Sequence, residues 1–411
     1  MAQYTFSIII PVFNNWELTK NCLSSLREHT GRDDYEVVVV DNASVDDTRT
    51  ELEPFGKNLF PNAFTAIRNA ENINFGPACN LGANRADAEL LFFLNNDTLV
   101  TPGWYEPLHK ALEATPSLGA VGPLLLYEDR RVQHLGVAYS SAGLSHLYSE
   151  FPADHPVVGR ERRLQAITGA AMLLAKDTFL AAGGFHEGYR NGFEDVELCV
   201  RIRESGKHLS CATSSAIFHL ESKSEGRHAN KDHNSLLLAK RCGNALYPDL
   251  HLHGARDGFK VVVNEAMEQS LLLADWDDQE LRAQTAGKSL DLLYVAVKQN
   301  PYWLWGNETL GNALEAAGCY PEAALFYYQI TLFYPGLKYY QKLLRLAALA
   351  NMTSLHDEAV KQVGILTRLQ VDRQQSLDKV RSIIKKAEIL NDNLLLTLYQ
   401  DKLAAMTGPP L

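Results

Sequence analysis

The sequence predicts an α/β region, a mainly parallel sheet with helices on both faces, followed by an all-α region. Three observations carry this. Short apolar runs alternate with stretches of helical spacing through about the first hundred residues. Each run stops abruptly at Asn or Asp, as buried parallel strands do where they leave the core. Beyond about residue 235 such runs become scarce, and a recurrence of 34 residues separates Pro301 from Pro335.

Phe6 to Phe13 (FSIIIPVF) is rich in β-branched residues and closes at Asn14-Asn15, so it reads as the first strand. Trp16, Leu18, Cys22, Leu23 and Leu26 then recur at helical spacing as far as His29. Tyr35 to Val40 is a fully buried strand ending at Asp41-Asn42, with the polar start of a helix at Asp46-Asp47-Thr48. Thr65 to Arg68 is a third strand. Asn74 to Gly82 reads as a Gly-containing loop feeding a helix, and Leu90 to Leu94 as the fourth strand, stopped by Asn95-Asn96-Asp97. Strands and helices in alternation form a parallel sheet with right-handed crossovers.

The strand ends therefore collect Asn14, Asp41, Asn80 and Asp97 on one edge of one sheet, where ligands of α/β sheets usually sit. Asp97 suits a divalent metal on a diphosphate, and Asp41 suits a base or ribose hydroxyl, which a carboxylate binds more strongly than a neutral acceptor does. Two plainer roles compete: Asn95-Asn96-Asp97 as a turn, and Asp41-Asn42 as a helix N-cap. A glycine-rich phosphate loop is absent.

Length and composition set the frame. At 411 residues the chain holds two or three domains of ordinary size. A formal charge of −10 argues against gripping nucleic acid, which usually takes a basic footprint. Six cysteines stand singly, without a CxxC pair, which fits reduced thiols in the cytoplasm. No basic and apolar leader opens the chain, and no apolar run approaches about 18 residues; Ile167 to Phe185 is interrupted by Lys176 and Asp177. A soluble protein is expected, with peripheral membrane contact and homo-oligomerisation left open.

In the middle of the chain, Trp104 to Ala114 reads as a helix and Ala120 to Tyr127 as a strand. Arg130 to Val158 is irregular and long enough to be a functional loop or hairpin, and it contains Gln133-His134. Ile167 to Leu174 is a strand entered through Thr168, Gly169 and Ala170, small residues that let a ligand near the backbone. Lys176 to Ala182 starts a helix that ends at Gly183-Gly184. Glu194-Asp195 then precedes an amphipathic helix, where two acids complement the helix dipole. Ala216 to Leu220 is a short strand carrying His219, followed by a polar loop with Lys223 and Arg227.

SIIIPVFN (Ser7 to Asn14), VVVVDNASVDDT (Val37 to Thr48), NFGPACNLGANRA (Asn74 to Ala86) and LNNDT (Leu94 to Thr98) together resemble the landmarks of the family 2 glycosyltransferases of GT-A fold. The Asn-Asn-Asp form is similar to the rhamnosyltransferase-like members. The resemblance implies a nucleotide-diphospho-sugar transferase with a Rossmann-like mixed sheet. Asp41 then matches the base-binding aspartate, with Pro11, Phe13, Asn14, Asn42, Phe75, Gly76, Asn80 and Asn96 around the nucleotide. Asp97 matches the last aspartate of the metal-binding DxD motif, with Asn95 where a first carboxylate often stands. GGF-x7-FED-x2-L-x2-R at Gly183 to Arg201 looks like the segment carrying the catalytic base, so Asp195 is expected to be that base and Glu194 its support. His219 is similar in position to a late histidine that reaches back to the metal, Mn²⁺ or Mg²⁺. Gln133-His134 also resembles a recurring feature, which places His134 with Thr168 and Gly169 near the sugar or acceptor.

The last third contains Leu310, Gly311, Leu314, Gly318, Tyr320, Ala323, Tyr327 and Pro335, which match the small-and-large pattern of a tetratricopeptide (TPR) unit. A partial unit precedes it and a degenerate one follows, and Gln375 to Met406 reads as one capping helix. Such repeats stack on a neighbour, and here also on the transferase domain, binding a polypeptide on their concave face or serving as a packing appendage. The expected division is 1–235 for the GT-A domain, 236–265 for a linker or helical connection, and 266–411 for the TPR-like domain. The expected activity is inverting, metal-dependent transfer from dTDP-rhamnose or a UDP-hexose to a glycan or protein hydroxyl. An inactive, transferase-like scaffold that binds protein through its helices is the alternative. A nucleotidyltransferase would show a Gly- and Lys/Arg-rich loop after the first strand, where Pro11 to Asn15 stands instead.

Overall fold

The computed structural model describes residues 4–220, 230–243 and 245–408. The chain divides into two compact units: Met1–Ala138 with Ser145–Tyr247, and Tyr139–Leu144 with Pro248–Leu411.

In the first unit the opening elements follow the alternating pattern: β1 (Phe6–Val12), α1 (Trp16–His29), β2 (Tyr35–Asp41), α2 (Thr48–Leu59), β3 (Phe64–Arg68), α3 (Phe75–Arg85) and β4 (Leu90–Leu94). Then come β5 (Thr98–Val100), α4 (Tyr105–Ala114), β6 (Leu118–Leu126) and β7 (Val132–His134), followed by β8 (Val137–Ser140) and β9 (Gly143–His146), of which residues Tyr139–Leu144 group with the second unit. The last elements are β10 (Ala171–Ala175), α5 (Lys176–Ala181), α6 (Glu194–Glu204), β11 (His208–His219) and α7 (Lys231–Cys242).

The main sheet runs β3-β2-β1-β4-β10-β6-β11-β5, with β7 added alongside β6. Its first half, β3 to β4, is parallel, and β10 enters antiparallel between β4 and β6. The result is a mixed sheet, as the motifs lead one to expect. All seven residues of β1 and of β2 are buried, because β1 is flanked by strands and both faces of the sheet are covered. Pro11, which has no N–H to give a ladder, lies past the last β1–β4 pair, Ile9 with Phe93.

Three local expectations need correction. The helix after Asn74 begins at once, at Phe75, so Phe75, Gly76 and Asn80 sit on α3 and not in a loop. Pro77 falls in its first turn, where the missing N–H costs nothing. Residues 167–170 are not strand, because their N–H groups are claimed by side chains. The strand that carries His219 is longer than Ala216 to Leu220, running from His208 with a register shift between Ala212 and Ala216.

The second unit contains α8 (Leu250–Arg256), a hairpin of β12 (Lys260–Val263) and β13 (Gln269–Leu272), and then α9 (Asp275–Thr285), α10 (Leu290–Gln299), α11 (Leu304–Ala316) and α12 (Tyr320–Phe333). It closes with α13 (Leu337–Leu349), α14 (Thr353–Val371), α15 (Arg373–Leu390) and α16 (Asn393–Thr407). The hairpin departs from a purely helical expectation. Its turn is held by Asn264 Oδ1, which accepts from the N–H groups of Ala266 and Glu268. The expected single helix from Gln375 to Met406 is also two helices. Asn391 adopts φ 53°, and Asp392 caps the next helix by accepting from Leu395 N–H at 3.0 Å. Between α11 and α12 the Tyr327 ring lies on Gly311, and its hydroxyl donates to Asn312 Oδ1 at 2.7 Å. Among the described residues no helix is long and apolar enough to cross a membrane.

Helix α3 lies tight on β1 and β2: a Cβ at Gly82 would stand 2.5 Å from Ile9 Cγ2 and 3.3 Å from Val40 Cγ2. Overpacking of this kind costs about 1–3 kcal/mol, against a helix-propensity gain of up to about 1 kcal/mol. Gly82→Ala should therefore destabilise the protein, and a lower midpoint in urea unfolding of the variant checks it.

Candidate active site

The carboxyl ends of the parallel strands form one network. Asp41 closes β2, fully buried; its Oδ1 accepts from Ser44 N–H at 2.8 Å and its Oδ2 from Arg68 Nε at 3.0 Å. Arg68 ends β3 in register with Asp41, so adjacent parallel strands set a half-exposed cation beside a buried carboxylate. Asn14, at φ 57°, donates its N–H to Ser44 Oγ at 2.7 Å and accepts from Val45 N–H through Oδ1 at 2.8 Å. Asn42 holds Asn74 O through Nδ2 at 3.3 Å and takes Asn69 Nδ2 on Oδ1 at 2.8 Å. Phe13 is 46% exposed beside them in sequence, an open aromatic face on an otherwise buried strand end.

Two expected nucleotide contacts have other work. Both ends of the Asn80 amide are taken by Phe185, whose N–H donates to Oδ1 and whose C=O accepts from Nδ2, each at 2.8 Å. Asn80 therefore fixes the start of the segment leading to Asp195. Asn96 turns its Nδ2 to Thr19 Oγ1 at 2.9 Å, tying the end of β4 to α1. A Cβ at Gly76 would stand 3.2 Å from Phe185 Cβ, so Gly76 also serves this packing.

Beyond β4, Asp97 and His219 meet because β11 pairs antiparallel with β5, His219 opposite Thr98. His219 Nε2 lies 3.2 Å from Asp97 Oδ1 and 3.3 Å from Asn95 Nδ2, and both side chains are more than nine-tenths buried. On the far side of the ring, His219 Nδ1 lies 2.7 Å from Gln133 Oε1. A carboxylate oxygen and an imidazole nitrogen at this separation match neighbouring ligands on one ion at about 2.1 Å. Among the described residues no third His, Cys, Asp or Glu joins them. The pair thus fits an ion that takes its remaining ligands from substrate phosphates and water, as Mg²⁺ and Mn²⁺ commonly do.

Asp195 lies at the start of α6. Its Oδ2 accepts from Gly169 N–H and its Oδ1 from Val196 N–H, both at 2.8 Å. Glu194 is buried, and its Oε2 accepts from Gly192 N–H at 2.6 Å. One turn along, the buried Glu197 is paired with Arg201 and Arg241, which holds α6 to α7.

Residues Thr168, Gly169 and Ala170 join the two halves of the site. Thr168 N–H donates to His134 Nε2 at 3.2 Å, Gly169 N–H to Asp195, and Ala170 C=O accepts from Asn95 N–H at 2.9 Å. β7 reaches this segment because β11 occupies one edge of β6, leaving β10 and then β7 to share the other. His134 is fully buried, with Nδ1 at 2.7 Å from His146 Nδ1. Its place beside Thr168 and Gly169 is as a scaffold member with both nitrogens engaged. Lys223 and Arg227 lie outside the described residues.

Sequence reasoning passed over Arg68, Ser44, Asn191 and the separate role of Gln133. Asn191 Oδ1 accepts from Phe75 N–H at 2.9 Å across 116 positions. Only Arg68 left a signal, a cation closing the strand next to the one that Asp41 closes.

The strand ends of the mixed sheet thus present the buried Asp41 carboxylate and the Asp97–His219 carboxylate–imidazole pair. Residues 7–134, which lie within the first unit, match the model of the family described as Glycosyl transferase family 2. The chain is 31% identical over 225 residues to the O-antigen biosynthesis protein RfbC of Myxococcus xanthus, covering 53% of this chain and 17% of that protein. It is 27% identical over 220 residues to the N-acetylglucosaminyl-diphospho-decaprenol L-rhamnosyltransferase of Mycobacterium tuberculosis, covering 46% of this chain and 68% of that protein. It spans 25% of another curated relative, the uncharacterized protein y4gI of Sinorhizobium fredii, so it covers a quarter or less of two of these relatives. A solved mannosyltransferase from Pyrobaculum calidifontis, in complex with GDP-Man and Mn²⁺, aligns at TM-score 0.43 and 20% identity over 86% of each chain.

Burial, reinforced by charge on His146 and His219, holds the His134 imidazole well below the usual histidine range. Well above about pH 6.5 neither folded nor unfolded His134 is protonated, and its full contribution to stability is present. As pH falls below that value the unfolded chain binds the proton first, so stability declines, by at most about 1.4 kcal/mol per pH unit from this group. Urea unfolding at pH 7.5, 6 and 5 should show that loss reduced in His134→Gln relative to wild type, the shared losses from other buried histidines cancelling in the comparison.

Proposed function

We propose that the protein is an inverting, metal-dependent glycosyltransferase that moves a sugar from dTDP-rhamnose or a UDP-hexose to an acceptor hydroxyl on a glycan or protein. The observation that best supports this is the three-residue segment Thr168–Ala170, which hydrogen-bonds Asp195 on one side and Asn95, next to the Asp97–His219 pair, on the other. A base and a phosphate-side metal pair tied to one short backbone segment suit a sugar ring held between them.

In this reading the nucleotide lies over Asn14, Asp41, Asn42 and Phe13, with Phe75 and Gly76 lining the α3 side. Asp97 and His219 hold Mn²⁺ or Mg²⁺, which would stabilise charge on the departing diphosphate as a Lewis acid. Each Asp195 oxygen accepts one backbone N–H and keeps a second lone pair. Asp195 takes the acceptor hydroxyl proton as that oxygen attacks the anomeric carbon, and the bond to diphosphate breaks on the opposite face. Configuration at that carbon inverts. Glu194 braces the loop before α6 through Gly192, which fixes where Asp195 emerges. A cytoplasmic location belongs to the same reading and is supported by six free cysteines. The helical pair α11–α12, with its tetratricopeptide pattern, binds a polypeptide in it.

A donor screen with mass detection of transferred sugar, run with and without Mn²⁺, tests the activity. Asp195→Asn should lower transfer by about 10²–10⁴-fold while donor affinity, measured by calorimetry, stays near wild type; transfer at an undiminished rate removes the base assignment. Asp97→Ala should weaken Mn²⁺-dependent donor binding, and unchanged affinity in the same titration removes the ligand assignment.

A further inference from the structure

The Asp97–His219 pair carries a latent conflict. A neutral imidazole has one N–H, on either Nδ1 or Nε2. With the proton on Nε2, His219 would donate it to Asp97 Oδ1, 3.2 Å away, and the two ligands would satisfy each other. With the proton on Nδ1, the Nε2 lone pair faces the Asp97 oxygen, and both atoms have the chemistry to ligate a cation. The site works as a metal site only in the second tautomer.

Gln133 decides between them, and its own orientation follows from the geometry. Gln133 Nε2 lies 3.0 Å from the backbone oxygen of His219. A carbonyl oxygen only accepts, so the NH₂ end of the Gln133 amide must face it. The amide oxygen is then the end that faces His219 Nδ1, at 2.7 Å, and an oxygen there requires an N–H on Nδ1. On the other side of the ring, Asn95 Nδ2 at 3.3 Å is placed to donate into the Nε2 lone pair, which a carboxylate at position 95 could not do. Gln133 is buried on β7, so water does not compete for either of its contacts. The two hydrogen bonds close a ring in which the His219 main chain orients the amide and the amide orients the His219 side chain.

We propose that Gln133 is a positioning residue that holds His219 in the Nδ1–H tautomer, keeping Nε2 and Asp97 as two separate metal ligands instead of a closed hydrogen-bonded pair. This rests on the metal reading of the site given above, and it concerns a residue that touches neither metal nor substrate. Partners of this kind fix ring orientation and tautomer at histidine metal ligands, and their loss typically costs about 10–100-fold in affinity.

The test uses the full chain with His219 followed by two-bond ¹H–¹⁵N spectra of the metal-free protein, at a pH where the ring is neutral, and Mn²⁺ titrated with a nucleoside diphosphate present. Wild type should show a protonated Nδ1 and a bare Nε2. Gln133→Met, which keeps the volume and loses both hydrogen bonds, should move the proton to Nε2 and raise the Mn²⁺ dissociation constant by about 10–100-fold. Gln133→Glu keeps an acceptor oxygen toward Nδ1 and should retain the wild-type tautomer; it also decides the matter if the methionine variant does not fold. An Nε2–H ring in metal-free wild type, a glutamate variant that switches tautomer, or a folded methionine variant with wild-type Mn²⁺ affinity would each overturn the proposal. His219→Ala run in parallel separates the two ideas: unchanged Mn²⁺ affinity there removes the metal reading, while the metal-free spectra still report what Gln133 does to the ring.

Discussion

The site depends on three consecutive residues just before β10 whose N–H groups are turned away from the strand ladder to side chains. β10 joins the sheet only at Ala171, opposite Leu94, and the groups just before it are left to be satisfied elsewhere. Buried backbone polar groups must find partners. Those of Thr168, Gly169 and Ala170 find His134, Asp195 and Asn95, from three separate parts of the chain. The same requirement that builds a sheet thus assembles the site. A segment continuing as strand would have taken partners from β4 and left Asp195 without its Gly169 contact.

The sheet supplies the other half of the arrangement. Because β1, β2 and β4 run parallel, their carboxyl ends lie together, and Asn14, Asp41 and Asp97 need no long loops to approach one another. Because β5 and β11 run antiparallel, His219 comes back to the same edge from more than a hundred positions away. The mixed character of the sheet is what sets a carboxylate from one half beside an imidazole from the other. Burial of that pair makes the contact between them consequential, since a polar contact in a low-dielectric interior is worth more when made and costs more when lost.

Much of this could be read from the chain. The parallel half was legible because its strands are continuous apolar runs ending in Asn or Asp, and Asp41, Asp97, Asp195 and His219 stand in recognisable motifs. What could not be read were contacts set by tertiary geometry. Nothing around Gln133 announces that β6 will share one edge between β10 and β7, and so bring its amide to His219. Asn80 looks like a ligand contact in a motif, yet its amide matches the N–H and C=O of one residue 105 positions away. The end of Ile167 to Leu174 nearest Asp195 was misread as strand for a related reason: small apolar residues describe a tight backbone approach as well as they describe a strand. In the second unit, Asn391-Asp392 did carry a local signal for a break, a residue tolerant of positive φ followed by a capping side chain.

The stretch from Phe185 to Asn191 is moored twice to the same helix, by Asn80 to Phe185 and by Asn191 to the first residue of α3. A bight of chain fastened at both ends to one rigid body has few ways to move as a whole. The exposed side chains of Glu187 and Arg190 can therefore be exchanged with little leverage on Asp195, which follows four residues after Asn191. The exposed positions bordering the base are adjustable while the frame beneath them stays fixed.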